Sequence, residues 1–444
     1  MVQKVRVAID VMGGDYAPLE PIKGAVKALE KDPNLEIILV GNKPQIQSVI
    51  RNNKLPAAGF EIVEAKEVIE TSENPVKAIR TKKDSSLVKA LELVRDGEAD
   101  AFISSGNSGA IMVGAQTILG KIKGITRPTF APIIPTSNGP ATIVDSGANM
   151  DARPDFLTQW AVLGSVYMQL MFDMPAPRVA IVNVGAEEDK GNKLVKETFP
   201  LLKEMDNINF TGSIESRNIP SGDADVIVCD AFVGNAIVKM YEGVAKTLIS
   251  EIKKAITSSF PSKIGSLLVK GQLKSMMKTY DVNNYGGAAV LGLNGLVIKT
   301  HGNAKEAAFA SAFGQVSKLV RGNITGKIKE QFAKMSKEEN KEVNGIASES
   351  FDMMIGNIID DKEVQDKVGY ECYDIVVANI LADVLVPLTP VIVNQMKPGA
   401  VYITSGIIDD KEQTVVDAVK AAGLEILEVT YQGEWVSVTA RKQA

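Results

Sequence analysis

The chain has 444 residues, 45% hydrophobic and 23% charged, with a net charge of −5 and one histidine, His301. That length exceeds one ordinary core and points to two or three domains, while no apolar run reaches the roughly eighteen residues that cross a bilayer. The acidic balance argues against nucleic acid, the single imidazole excludes His-rich metal sites, and Cys229 and Cys372 have neither disulfide nor metal-ligand spacing.

MVQKVRVAID runs straight into a strand without a signal-peptide pattern, so a cytoplasmic protein is expected. The strand Val5–Ile9 is followed by Asp10, Met12, Gly13, Gly14 and Asp15. Two glycines between two carboxylates at a strand end make a turn whose amides can face a ligand while the carboxylates orient neighbouring donors. A plain tight turn before a helix has the same appearance. Further strands are expected at Leu35–Val40, Phe60–Val63, Ala101–Ser104, Thr142–Val144, Arg178–Val182 and Val226–Cys229, rich in Val and Ile as buried parallel strands are. Leu19–Lys31, Ser86–Arg95 and Ala110–Lys121 carry helical spacing. This alternation predicts a doubly wound α/β domain with its site at the carboxyl ends of the strands.

Four more loops repeat the strand–Gly/Asn–helix pattern. They are Ser104 to Gly109 (with Ser105, Gly106, Asn107 and Ser108), Asp145 to Asn149, Gly185 to Asn192 (with Lys190), and Asp230 to Asn235 (with Gly234). Each places small or amide residues where a helix start presents unpaired N–H groups, which suits phosphate or a developing oxyanion, although helix capping alone explains any one of them. Together at one sheet edge they predict a polar crevice. None is a nucleoside-triphosphate loop or a dinucleotide fingerprint. Lys299 and His301 follow the apolar run Leu296–Ile298 and share a glycine-containing segment, which favours a role in the site.

From Ile252 to Tyr280 there are six lysines and no Asp or Glu. Two short helices divided by Pro261 and Gly271 would align Ile264, Leu267 and Leu268, then Leu273, Met276, Met277 and Tyr280, with Lys270 and Lys274 nearby. Such a basic amphipathic hairpin fits an anionic membrane, an acidic partner or a dimer interface. Lys327–Asn344 is charged without a strong apolar stripe and reads as a solvated helix or linker, so the expected division is 1–333, a linker at 334–344, and 345–444. The last part repeats an α/β pattern: strands at Tyr373–Ala378 and Ala400–Ser405, helices at Asp383–Met396 and Lys411–Ala422, and a closing antiparallel pair at Glu425–Thr430 and Glu434–Arg441.

DVMGGDYAP, SSGNSGA, DSGANMDARP, the Lys190-Gly191-Asn192 loop, DAFVGNAIVK, NNYGGAAVLGL and VIKTHG occur in this order within residues 1–325. As a set they closely resemble the bacterial phosphate acyltransferases of phospholipid synthesis. The resemblance implies a doubly wound α/β/α sandwich of the phosphotransacetylase/isocitrate-dehydrogenase kind and a homodimer. It implies no cofactor and no metal. The reaction it implies converts fatty acyl-[acyl-carrier-protein] and orthophosphate to acyl phosphate and free carrier, and a membrane glycerol-phosphate acyltransferase then uses the acyl phosphate. Phosphate is already a competent nucleophile, so catalysis would rest on positioning and on stabilising the thioester oxyanion. His301, Asn235, Asn107 and Lys299 are the candidate catalytic residues. Asp10, Gly13, Gly14, Asp15, Ser105, Gly106, Ser108, Gly109, Asn149, Lys190 and Gly234 are the candidate binding residues. Leu267, Leu268, Lys270 and Lys274 would dock carrier or membrane, giving a cytoplasmic, peripherally membrane-associated enzyme.

From about residue 343, SFDMMIGNIIDD, YDIVVANILADVLVPL, KPGAVYITSGIIDDKE and YQGEWVSVTARK resemble the later half of the ribosomal protein L-eleven methyltransferases, with Asn379-Ile380-Leu381-Ala382 at their substrate-amine motif. Their glycine-rich S-adenosylmethionine loop has no counterpart upstream, so a partial Rossmann-like segment without methyltransferase activity, fused to a complete first enzyme, is expected. The competing readings are a phosphotransacetylase acting on acyl-CoA and a non-catalytic lipid- or carrier-binding module.

Overall fold

In the computed structural model, residues 3–56, 59–259, 285–344 and 356–443 are described, together with 269, 271, 272, 277, 280 and 354. They form two compact units, residues 1–339 and 340–444.

The first unit contains β1 (Val5–Asp10), β2 (Leu35–Gly41), β3 (Phe60–Glu64), β4 (Ala101–Ser104), β5 (Thr129–Ala131), β6 (Ile133–Thr136), β7 (Gly139–Val144), β8 (Arg178–Asn183), β9 (Asn209–Glu215), β10 (Val226–Val228), β11 (Ala288–Leu291) and β12 (Leu296–Lys299). They build two sheets, in the orders β3-β2-β1-β4-β12-β11-β5 and β6-β7-β10-β8-β9. The glycine-rich loops therefore divide between two sheet edges, where the sequence suggested one. The corner is Pro132, the only residue between β5 and β6. It has no N–H to continue a ladder, and its carbonyl accepts from Ile143 N (3.2 Å) and Thr142 Oγ1 (3.1 Å) at the start of the second sheet.

The helices of this unit are α1 (Leu19–Lys31), α2 (Lys43–Asn52), α3 (Pro75–Thr81), α4 (Ser86–Arg95), α5 (Ser108–Ile118), α6 (Pro154–Phe172), α7 (Lys193–Glu204) and α8 (Ala231–Thr257), followed by Glu306–Arg321 and Ile324–Asn344. Asn42, Asn74, Ser85, Asn107, Asn192 and Asp230 each accept a hydrogen bond from an amide of the first turn they precede. Such caps contribute about 1 kcal/mol apiece and fix where each strand-end loop turns into helix. Trp160 and Tyr167 of α6 and Phe309 and Phe313 of the helix Glu306–Arg321 are wholly buried, in one core with strand residues of both sheets. The charged segment from Lys327 continues the helix Ile324–Asn344.

In the second unit β13 (Tyr373–Asn379), β14 (Met396–Ile408), β15 (Leu424–Gln432) and β16 (Trp435–Lys442) form a sheet in the order β13-β14-β16-β15. β13 is parallel to β14, and β16 pairs antiparallel with both neighbours. The helix expected to reach Met396 ends at Ile392, and Met396 opens β14 instead. A strand expected over six residues extends to thirteen because it pairs on both edges.

Candidate active site

Buried Asp10, at the end of β1, organises the first loop. Its Oδ1 accepts from Met12 N (3.0 Å) and Gly13 N (3.2 Å), and its Oδ2 accepts from Ser104 Oγ (2.8 Å). Burial pushes its carboxyl above the usual range, and these hydrogen bonds oppose the shift. Ser105 Oγ donates to Gly13 O (2.7 Å), Ser104 Oγ accepts from Gly106 N (3.0 Å), and Asp15 N donates to Gly302 O (2.8 Å). At Gly14, φ is +95° and a Cβ would collide with Ser105 Oγ, so only glycine lets the two loops close. β12 pairs with β4 so that Lys299 lies opposite Ser104, and Thr300 N donates to Ser104 O (2.9 Å). The ends of β1, β4 and β12 are thereby knitted into one surface carrying Asp10, Gly13, Gly14, Asp15, Ser105, Gly106 and the segment from Lys299 to Gly302.

Asp145 plays the same part for the second sheet. It is fully buried at the end of β7, accepting from Phe130 N, Ser146 N, Ala148 N, Asn149 N and Asn149 Nδ2 at 2.6–3.2 Å. Burial raises its carboxyl as well. α8 starts against this loop: Asp230 caps it through Val233 N (2.9 Å), Ala231 N donates to Asn149 O (3.2 Å), and a Cβ on Gly234 would collide with Asp145 O.

Between the two sets of loops lies a cleft of about 1150 Å³, whose polar end is lined by Ser108, Ser146, Asn235, Lys239, Lys299 and His301. Glu242, one turn beyond Val238 on α8, also lines it and holds its Oε2 3.6 Å from His301 Nε2. Burial lowers the Lys299 amine below the usual lysine range, with Glu242 acting against the shift and Lys239 with it. Two ammonium groups, an imidazole and a carboxamide converge here on a helix start, an arrangement suited to a phosphate-sized anion beside a polarised carbonyl.

Other expected residues fall elsewhere. Asn107 is committed to structure: its Oδ1 caps Ala110 N (3.0 Å), and its Nδ2 donates to the carbonyls of Glu70, Thr71 and Glu73 at 3.0–3.3 Å. Gly109 packs so that a Cβ would lie 2.5 Å from Pro75 Cγ. Asn149 spends its amide on Asp145 and on Pro128 O (2.9 Å). Lys190 pairs with Glu187 (2.7 Å) on a half-exposed loop after β8 and is not among the residues lining the cleft. Leu267, Leu268, Lys270 and Lys274 lie outside the described residues. Sequence reasoning passed over Lys239 and Glu242. Their signal was the helical phase of α8, since Asn235, Lys239 and Glu242 follow at four and three residues on one face.

Residues 5–327 match the family model described as "Fatty acid synthesis protein", and residues 316–443 match that of "Ribosomal protein L11 methyltransferase", the two overlapping at 316–327. The second match thus begins upstream of the position, near 343, where its motifs start. A phosphate acyltransferase of Clostridium perfringens is 44% identical over 339 residues, covering 76% of this chain and 100% of the relative. One of Thermoanaerobacter pseudethanolicus is 46% identical over 334 residues, covering 75% and 99%. Among solved structures, a phosphotransacetylase from Streptococcus pyogenes covers 72% of this chain and 95% of its own, at 15% identity and a TM-score of 0.48. With a family model spanning most of its length and relatives matched from end to end at this identity, the chain belongs to the phosphate acyltransferase family, and its C-terminal part carries a ribosomal protein L11 methyltransferase domain match.

Proposed function

We propose that the first unit transfers a fatty acyl group from the thioester of acyl carrier protein to orthophosphate, supplying acyl phosphate for phospholipid synthesis. A phosphate oxygen attacks the thioester carbonyl carbon, the C–S bond breaks, and the carrier thiolate leaves and takes up a proton. Lys299 and Lys239 hold the phosphate, while Asn235 and His301 donate to the carbonyl oxygen as it gains charge. Glu242 orients the imidazole. The observation that carries this reading is the convergence of Asn235, Lys299 and His301 on one cleft, in a chain 44% identical to phosphate acyltransferases. No activated serine or cysteine is needed, because the phosphate is the nucleophile.

The catalytic region is taken to be 1–333, acting as a homodimer in the cytoplasm and touching an anionic membrane transiently. Among the described residues no helix is long and apolar enough to cross a membrane. The C-terminal part is taken to be a fused segment without methyl-transfer activity. The test is release of free carrier thiol from a long-chain acyl carrier by the full chain, with and without phosphate. Release that depends on phosphate and yields acyl phosphate supports the reading, and release that ignores phosphate overturns it. Calorimetry with S-adenosylmethionine tests the tail, where micromolar binding would overturn its assignment as inactive.

A further inference from the structure

The cleft is larger than phosphate and a thioester require, and beyond Glu242 its lining is mostly apolar, with Lys246 at its side. From Lys299, its floor crosses β11 and β5. Ala288 lies opposite Lys299, and Ala289 lies opposite Ala131, so the next positions lead to Pro132 and Ile133 at the corner between the sheets. Its roof is α8, from which Val238, Tyr241, Ala245 and Ile249 line the cleft at spacings of three, four and four residues. All four are partly buried, whereas Met240 on the opposite side is exposed, as are Val244 and Leu248 on the flank beside Tyr241. The only polar atom these four side chains offer, the Tyr241 hydroxyl, is already spent on Pro135 O, which ties α8 to β6. Val238 to Ile249 spans about 16 Å of helix. A long, mostly apolar arm, flanked by Lys246 and opening from a thioester-sized polar end, is suited to a flexible hydrocarbon, whose binding is governed by apolar surface removed from water.

Resting on the function proposed above, we propose that this arm takes the hydrocarbon chain of the acyl donor, and that Ala245, the smallest of these four side chains, sets the chain length it admits. The thioester carbonyl then sits between Asn235 and His301, and the chain runs beneath α8 toward Ile249.

The experiment measures kcat/KM for phosphate-dependent thiol release with sixteen-carbon and four-carbon acyl carriers in the full chain, in Ala245→Phe, and in Met240→Phe on the outer side of the helix. The ratio of the two values is independent of the fraction of correctly folded enzyme. Filling an apolar pocket discriminates by about tenfold or more, so Ala245→Phe is expected to lower the ratio by that factor while Met240→Phe leaves it unchanged. An unaltered ratio in Ala245→Phe, or the same fall in both variants, overturns the arm. The unvaried chain separates the two inferences, because absence of phosphate-dependent release there overturns the function itself.

Discussion

Strands β1 and β13 look alike as sequence, VRVAID against YDIVVAN, and both are parallel strands followed by a functional-looking turn. β1 lies between β2 and β4, and Val7 and Ile9 are completely buried. Among the described residues β13 has one neighbour, β14, and leaves Ile375 61% and Val377 64% exposed. The second unit's core forms on one face of its sheet, where Tyr402, Val438 and Ala440 meet Leu385 and Val416. An apolar run states what a strand could bury. How many neighbours it has decides what it does bury, and that depends on residues far away in sequence.

The largest expected effect contrasts these strands directly. Val7→Asp places an uncompensated charge in the first core and should cost about 3–5 kcal/mol, whereas Val377→Asp should stay within about 0.5 kcal/mol. Thermal unfolding followed by circular dichroism measures both. A Val377→Asp penalty as large as that of Val7→Asp would mean that the open face of β13 is covered in solution.

Next come Asn235→Ala and His301→Ala, each expected to lower turnover about a hundredfold or more with little change in the unfolding midpoint. These assign the chemistry to one region, and unchanged turnover in both would place the reaction outside this cleft. A smaller effect concerns the second unit. Gln395 is fully buried there, and neither polar atom of its amide has a partner among the described residues. Leaving a polar group unpaired costs about 1–3 kcal/mol, so Gln395→Met should raise the unfolding free energy of the second unit, read by denaturant titration, by about 1 kcal/mol, and a loss of stability would show that the amide is satisfied.

The smallest effect is an acid one in the first unit. The hydrogen bond from Arg321, aided by Ser317, lowers the Asp32 carboxyl to about 2. A carboxyl held below its unfolded value stabilises the protein above the ordinary carboxylate range and loses that contribution as pH falls from about 4 through about 2. Arg321→Ala should therefore narrow the difference in stability between pH 5 and pH 2.5 by about 1 kcal/mol or less, given the partly solvated pair. An undiminished difference would assign the acid sensitivity to other carboxyls.

Most elements of the first unit were readable because their residues carry local signals. The helices Leu19–Lys31 and Ser86–Arg95 begin and end where the apolar spacing places them, and Ser85 caps the second. The division into two sheets was not readable, because it turns on Pro132 and on β11 and β12 returning to the first sheet from more than 150 residues later. The glycine loops were recognised, but which amides remain available depends on partners elsewhere. Asn107 is consumed by the carbonyls of Glu70, Thr71 and Glu73, while Asn235 reaches the cleft. Lys239 and Glu242 sit within an ordinary amphipathic helix, and only the sheet below it makes their face a site.

The close seat of Gly234 against Asp145 O makes α8 a lever with its pivot at one end. The helix is 27 residues long, about 40 Å, and at Gly234 in its first turn there is no room for even a methyl group. A side chain at 234 must tilt the rod, and displacement grows with distance from the pivot. Asn235, beside the pivot, would scarcely move, whereas Ile249, about 22 Å along the axis, would swing widely. One added carbon at the fulcrum would therefore disturb the reception of a long substrate tail far more than the grip on a small anion.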